Sequence, residues 1–146
     1  MLNISDIDKI CIGLDGSIHR AMTVMSANRT GIVLVVDDRK RLLGTITDGD
    51  IRRALLEGIN TGAAAGELLS RKRGSRFEKP VTAPVGQPHG KYAETMKATR
   101  ILYLPLVDAE DRIAGLVTLK DLLSDQVLPL QAVVMAGGQG IRLRPL

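Results

Sequence analysis

Apolar residues in this chain fall in short blocks whose period switches between helix-like and strand-like, and the order of blocks occurs twice. Ser5 to Ile12 sets Ile7, Ile10 and Cys11 at i, i+3 and i+4, the spacing of a short helix, before the turn-like Gly13 to Gly16. Ala21, Met22, Val24 and Met25 suit a second helix over Ala21 to Asn28, which Gly31 would terminate. Ile32 to Asp37, IVLVVD, is β-branched and has no polar interruption before its end, as a strand buried on both faces requires. Asp38 to Lys40 predicts a turn, Leu42 to Thr47 an antiparallel partner strand, and Asp48 to Glu57 a helix ending at Gly58. A small-residue connection, Gly62 to Gly66, a helical turn at Glu67 to Ser70 and a basic stretch, Arg71 to Lys79, come next. The order then returns: an edge-type strand at Val81 to Val85, a helix at Lys91 to Thr99, and a strand at Ile101 to Val107 in which Pro105 limits hydrogen bonding to one side. A strand at Ile113 to Thr118 and a helix at Leu119 to Val127, stopped by Pro129, complete the second round.

The two rounds are copies. Gly44 to Asp50, GTITDGD, recurs 71 positions later as Gly115 to Asp121, GLVTLKD, and Met25/Met96, Ala27/Ala98, Arg29/Arg100, Val36/Val107, Asp37/Asp108 and Arg41/Arg112 share that offset. Each copy predicts a strand, helix, strand, strand, helix unit. At 146 residues and 45% hydrophobic, the chain can bury one core or two small cores packed on each other. Half-chain units would be marginal alone, so they should pack as a pair.

A net charge of +4 permits an anionic partner, while an aromatic content of 2% argues against single-stranded nucleic acid, whose bases need rings to stack on. Part of the positive excess lies in Arg71 to Lys79, read as a solvated connector. One cysteine, Cys11, excludes an internal disulfide and suits a reducing compartment, with packing rather than chemistry as its role. With no basic-then-apolar leader and no apolar run near 18 residues, the expectation is a soluble cytoplasmic protein away from membranes. No metal-ligand spacing and no nucleophilic triad appears; His19 and His89 are not repeat equivalents.

The duplicated unit resembles the CBS (cystathionine β-synthase) domain over about Ser17 to Gly58 and Val81 to Val127. The resemblance implies an α/β (α+β) fold of two CBS repeats, each a small sheet with two helices, packed as a pseudo-twofold pair. Residues 1–16 would form a lead-in, 17–66 repeat 1, and 67–128 a linker with repeat 2. Tandem pairs of that family leave two clefts for adenine nucleotides or similar ligands, so AMP, ADP or ATP is the implied ligand and a homodimer the implied assembly.

Thr47-x-x-Asp50 and Thr118-x-x-Asp121 admit two readings. Each is a capping box at a helix start. Each also stands at a strand-to-helix turn, where free amides and the helix dipole favour phosphate, the Thr hydroxyl can add a bond and the Asp carboxylate can accept ribose hydroxyls. The resemblance marks Thr47, Asp50, Thr118 and Asp121 as phosphate and ribose contacts, and Ser17, Ile18, Val81 and Thr82 as contacts to the base. Arg52 and Arg53 follow Asp50, whereas Leu123 and Ser124 follow Asp121; a polyphosphate would prefer the first cleft if either arginine faces inward.

Leu130 to Leu146 lies outside the repeat. Ala132 to Ala136 reads as a short buried strand running into Gly137, Gly138 and Gly140, whose amides can close around phosphates that Arg142 could pair with. No GK[ST] follows, and Leu143 replaces the third glycine of the dinucleotide pattern. The segment resembles the opening signature GGxGxRLxPL of sugar-phosphate nucleotidyltransferases, enzymes that join a nucleoside triphosphate to a sugar 1-phosphate with Mg²⁺. It implies that 129–146 begins such a domain, whose metal-binding acids and sugar pocket would lie beyond this chain. The expected role is then regulatory, with no catalytic residue or metal in this stretch; the alternative is a ligand-free dimerisation module.

Overall fold

A computed structural model describes residues 4–124. These residues form two three-stranded sheets of the same design. In the first, β1 (Cys11–Ile12) runs parallel to β2 (Ile32–Val36), which pairs antiparallel with β3 (Leu42–Thr47). In the second, β4 (Ala83–Pro84), β5 (Tyr103–Val107) and β6 (Ile113–Thr118) repeat the arrangement. The described helices are α1 (Ile4–Ile7), α2 (Ile18–Asn28), α3 (Asp48–Leu56), α4 (Ala65–Arg71), α5 (His89–Thr99) and α6 (Leu119–Ser124). The mixed α/β class and the strand, helix, strand, strand, helix unit are as expected.

Three local departures have physical causes. The Ser5 to Ile12 stripe is helical only to Ile7, passes through a 3₁₀ turn, and becomes strand at Cys11. Every residue of β2 is buried, so its backbone must be bonded on both sides, and β1 supplies the second side. The helix α2 begins at Ile18 because the Ser17 hydroxyl accepts from the Arg20 amide at 3.0 Å. It ends at Arg29 rather than Gly31: Arg29 takes a left-handed φ of 51°, and the Thr30 amide returns to the Met25 carbonyl at 3.0 Å. Arg100, at φ 56°, closes α5 in the same way. Pro105 behaves as its missing donor demands, because the β4 pairing starts one residue later, at Leu106.

The repeat offset extends to individual hydrogen bonds. Asp37 Oδ1 accepts from the Arg39 and Arg41 amides at 2.8 and 2.9 Å, and Asp108 Oδ1 accepts from the Glu110 and Arg112 amides, both at 2.9 Å. These two hairpin turns meet. The Leu42 amide donates to the Asp111 carbonyl at 3.3 Å, the Ile113 amide donates to the Lys40 carbonyl at 2.9 Å, and Arg41 faces Arg112 in an antiparallel bridge. A residue bridged to its own repeat equivalent lies on a local twofold axis.

Burial follows the same plan unequally. The first core gathers Ile7, Ile10, the whole of β2, Ile46, Ile51 and Leu68, and takes in Ile113 and Leu116 from β6. The second is smaller, built on Ala83, Tyr92, Met96, Leu104, Leu106 and Val117. Its Tyr92 hydroxyl is satisfied twice, donating to the Pro84 carbonyl at 3.0 Å and accepting from the Gln87 amide at 2.9 Å.

Because Leu116 belongs to repeat 2 by sequence and to the first core by contact, Leu116→Ala should destabilise both repeats together, by roughly 2–5 kcal/mol. Urea unfolding followed by far-ultraviolet circular dichroism should show one transition at a lower midpoint, rather than a second transition split from an unchanged first.

Candidate functional site

The end of β3 turns directly into α3, and the cap at that turn builds the centre of the site. The Asp50 amide reaches the Thr47 hydroxyl at 3.4 Å, while Asp50 Oδ2 accepts from the Thr47 amide at 2.8 Å and from its hydroxyl at 3.0 Å. The capping box is therefore formed. Two cations add to the same carboxylate: Lys72 Nζ stands 2.7 Å from Oδ2, and Arg53 donates to Oδ1 at 2.7 Å. Lys72 is the C-terminal cap of α4 and also donates to the Thr45 carbonyl at 2.7 Å, so it ties α4 to β3. Asp50 is 12% exposed and Lys72 15%, which makes this pair far less screened than the surface pairs around it.

Burial alone would push the Asp50 carboxyl up. The hydrogen bonds from Lys72 and the Thr47 amide outweigh burial and hold it below the ordinary carboxylate value of 3.8.

Asp50 stands at the edge of a cleft of about 360 Å³, within the roughly 300–1,000 Å³ typical of small-molecule sites. Its polar wall is Thr45, Thr47, Asp48, Gly49, Asp50, Arg53 and Lys72. The opposite wall comes from the connector and repeat 2: Phe77, Pro80, Val81, Ile101, Leu102, Tyr103 and Pro105. Two of the chain's three aromatic rings thus face one cavity. Gly31 closes one side, and a Cβ there would lie 2.5 Å from the Tyr103 hydroxyl and 2.9 Å from Asp48 Oδ2.

This geometry gathers some of the expected residues and separates others. Thr47, Asp50 and Val81 line the cleft together. Ser17 and Ile18 do not: Ser17 caps α2, and Ile18 is 1% exposed with its amide bonded to the Ala63 carbonyl at 2.9 Å. Thr82 is exposed and outside the lining. Arg52 is exposed too, and Arg53 is the arginine that enters, because i, i+3 spacing sets it on the face of Asp50. Lys72, read with the solvated connector, is instead one of its anchors.

Thr118 and Asp121 repeat the cap. Asp121 Oδ2 accepts from the Thr118 amide and hydroxyl, both at 2.8 Å. They do not line the cleft. Positions 71 on from Gly31, Asp48 and Arg52 are Leu102, Leu119 and Leu123, and these three leucines, with Met96 and Leu122, line a largely apolar groove between α5 and α6 that His89, Lys97 and Arg100 also border.

The CBS domain family model matches residues 4–57 and 77–127. The chain belongs to the CBS domain family. A CBS domain-containing protein of Dictyostelium discoideum is 31% identical over 126 residues, covering 84% of this chain and 87% of that protein. Inosine-5'-monophosphate dehydrogenase of Aquifex aeolicus is 27% identical over 123 residues, 84% of this chain, and the chain spans only 24% of that enzyme. A solved CBS domain protein from Pyrobaculum aerophilum, complexed with AMP, superposes with a TM-score of 0.66 at 20% identity, over 82% of this chain and 89% of that one. The tandem CBS pair, two matched units in one fold, is thereby established.

Elsewhere the described CBS pair is chemically quiet. Burial raises the Cys11 thiol to about 11, and its Sγ donates to the Ile7 carbonyl at 3.2 Å. Among the described residues no group of three or more His, Cys, Asp or Glu could hold a metal ion, and no helix is long and apolar enough to cross a membrane. The loop formed by Gly137, Gly138, Gly140 and Arg142 lies outside the described residues.

A carboxyl held below its ordinary value stabilises the fold above about pH 4, and that contribution disappears as pH falls through the lowered value. Lys72→Met should therefore cost roughly 1–3 kcal/mol at pH 7 and less at pH 3, because below the ordinary value of 3.8 the unfolded chain takes up a proton at Asp50 more readily than the folded one. Urea midpoints at the two pH values test this, and an equal loss at both would show that Lys72 acts only by packing.

Proposed function

We propose that this CBS pair is a regulatory sensor that binds an adenine nucleotide in the cleft at Asp50 and biases a sugar-phosphate nucleotidyltransferase attached at its C-terminal end. The observation that carries the reading is the convergence at one cavity of a capped helix start, a carboxylate only 12% exposed that is held by two cations, and a wall of apolar and aromatic side chains. Asp50 suits a ribose diol and Arg53 and Lys72 suit phosphate. Phe77, Val81, Ile101 and Tyr103 offer a surface for a flat base, and the similar Pyrobaculum protein, complexed with AMP, supports an adenine nucleotide as the ligand. The first cleft is the one that binds, because in repeat 2 leucines stand at the places equivalent to Gly31, Asp48 and Arg52.

Coupling requires that ligand bind one arrangement of the pair better than another. Lys72 is suited to report occupancy, since it joins Asp50 to β3 and α4 at once. The signature at Gly137, Gly138, Gly140 and Arg142 supports the nucleotidyltransferase as the regulated part, and Mg²⁺ would serve that catalytic part alone. A reduced lone thiol and a nucleotide ligand fit a cytoplasmic protein without nucleic-acid or membrane contacts.

The same reading includes a homodimer of CBS pairs joined through the α5–α6 groove. Leu102, Leu119 and Leu123 are 59%, 42% and 61% exposed there, where repeat 1 has Gly31, Asp48 and Arg52. A second copy would bury them against their own equivalents. Light scattering should give a dimer mass for the chain and a monomer mass for Leu123→Glu; a wild-type monomer would exclude the dimer.

Thermal unfolding with AMP, ADP, ATP, GTP and S-adenosylmethionine tests the sensor. An adenine nucleotide at 100 times its dissociation constant should add roughly 2.7 kcal/mol. The shift should vanish in Asp50→Ala and persist in Asp121→Ala. No shift with any of the five would leave Thr47 and Asp50 as a cap and the protein as a scaffold.

A further inference from the structure

The cleft continues past Asp50. Asp50, Arg53, Lys72 and Phe77 also line a second groove of about 660 Å³, which extends along α3 and α4 to Glu57, Arg71 and Ser75. Three cations, Arg53, Arg71 and Lys72, stand in it against two carboxylates, Asp50 and Glu57. Arg71 pairs with Glu57 at the exposed end, and both side chains are about half exposed.

We infer that this groove is a subsite for the phosphates beyond the first, so that the protein separates adenine nucleotides by phosphate number. The inference rests on the nucleotide reading of the cleft. Its physical basis is an exchange of ion partners. In the structure both oxygens of Asp50 are engaged, Oδ2 by Thr47 and Lys72 and Oδ1 by Arg53. Oδ2 already accepts from three donors, so a ribose diol that engages both oxygens of this carboxylate displaces Lys72 from Oδ2. The displaced Lys72, in a site only 15% exposed, then needs an anion in place of Asp50. A nucleoside brings none. A monophosphate supplies one group for Lys72 and Arg53, and a second phosphate reaches the groove, where Arg71 exchanges an exposed and weakly held carboxylate for a charge-assisted phosphate contact.

Arg71 is the position that isolates this subsite, because it lines the groove and not the cleft. Isothermal titration of the 146-residue chain with adenosine, AMP and ADP, against Arg71→Ala and Glu57→Gln, separates the outcomes. Affinity should rise from adenosine to AMP to ADP. Arg71→Ala should weaken ADP about tenfold or more, the size of one lost charge-assisted bond, and leave AMP within twofold. Glu57→Gln should tighten ADP by releasing Arg71. Binding of AMP with no gain from the second phosphate, or equal losses for AMP and ADP in Arg71→Ala, would overturn the subsite while leaving the cleft intact. No binding of any of the three would overturn the cleft reading and this one with it.

Discussion

The bridge between Arg41 and Arg112 sets the geometry on which the rest depends. Neither repeat can satisfy its own turn: the Leu42 and Ile113 amides find their acceptors in the opposite hairpin. That pairing brings β6 beside the first sheet, so Ile113 and Leu116 complete a core that repeat 1 alone would leave open to water. It also places the start of β5 across from the start of α3. The cleft is a consequence, since its apolar wall belongs to one repeat and its polar wall to the other.

Capping and ligand binding are compatible uses of Asp50. Capping occupies the side of Oδ2 facing Thr47, where the helix needs an acceptor. Lys72 and Arg53 occupy what remains, and their contacts are the exchangeable ones: each carries donors on a flexible stem, and phosphate would bind them as well as carboxylate does. The second copy of the cap has the same local geometry, yet Leu119 and Leu123 stand where Asp48 and Arg52 stand in the first. Duplication preserved the element that starts the helix, and the surroundings diverged into a polar cleft on one side and an apolar face on the other.

Features governed by near neighbours were legible in the chain. The repeat offset, the two hairpins, the uninterrupted strand at Ile32 to Val36 and the Thr-x-x-Asp caps depend on residues within a few positions of one another. Even the one-sided bonding at Pro105 follows from a missing donor on that residue alone. The role of Lys72 is not legible in this way. It sits in a run of basic residues that looks solvated, and its partner carbonyl, Thr45, is 27 residues away. No period or spacing signals that contact. Three rings read as a scarcity in composition, which does not show that Phe77 and Tyr103, from different segments, line one cleft.

By itself, then, the sequence determined the unit, its duplication and the capped turn at Asp50, since periodicity and short-range hydrogen bonding act within a single element. Tertiary structure decided which copy of that turn acquired a cleft, that Arg53 rather than Arg52 enters it, and that Ser17, Ile18 and Thr82 lie elsewhere. Those outcomes depend on how α4, the connector and β5 are brought to α3 by the paired hairpins, and distances set by chain path are absent from local pattern.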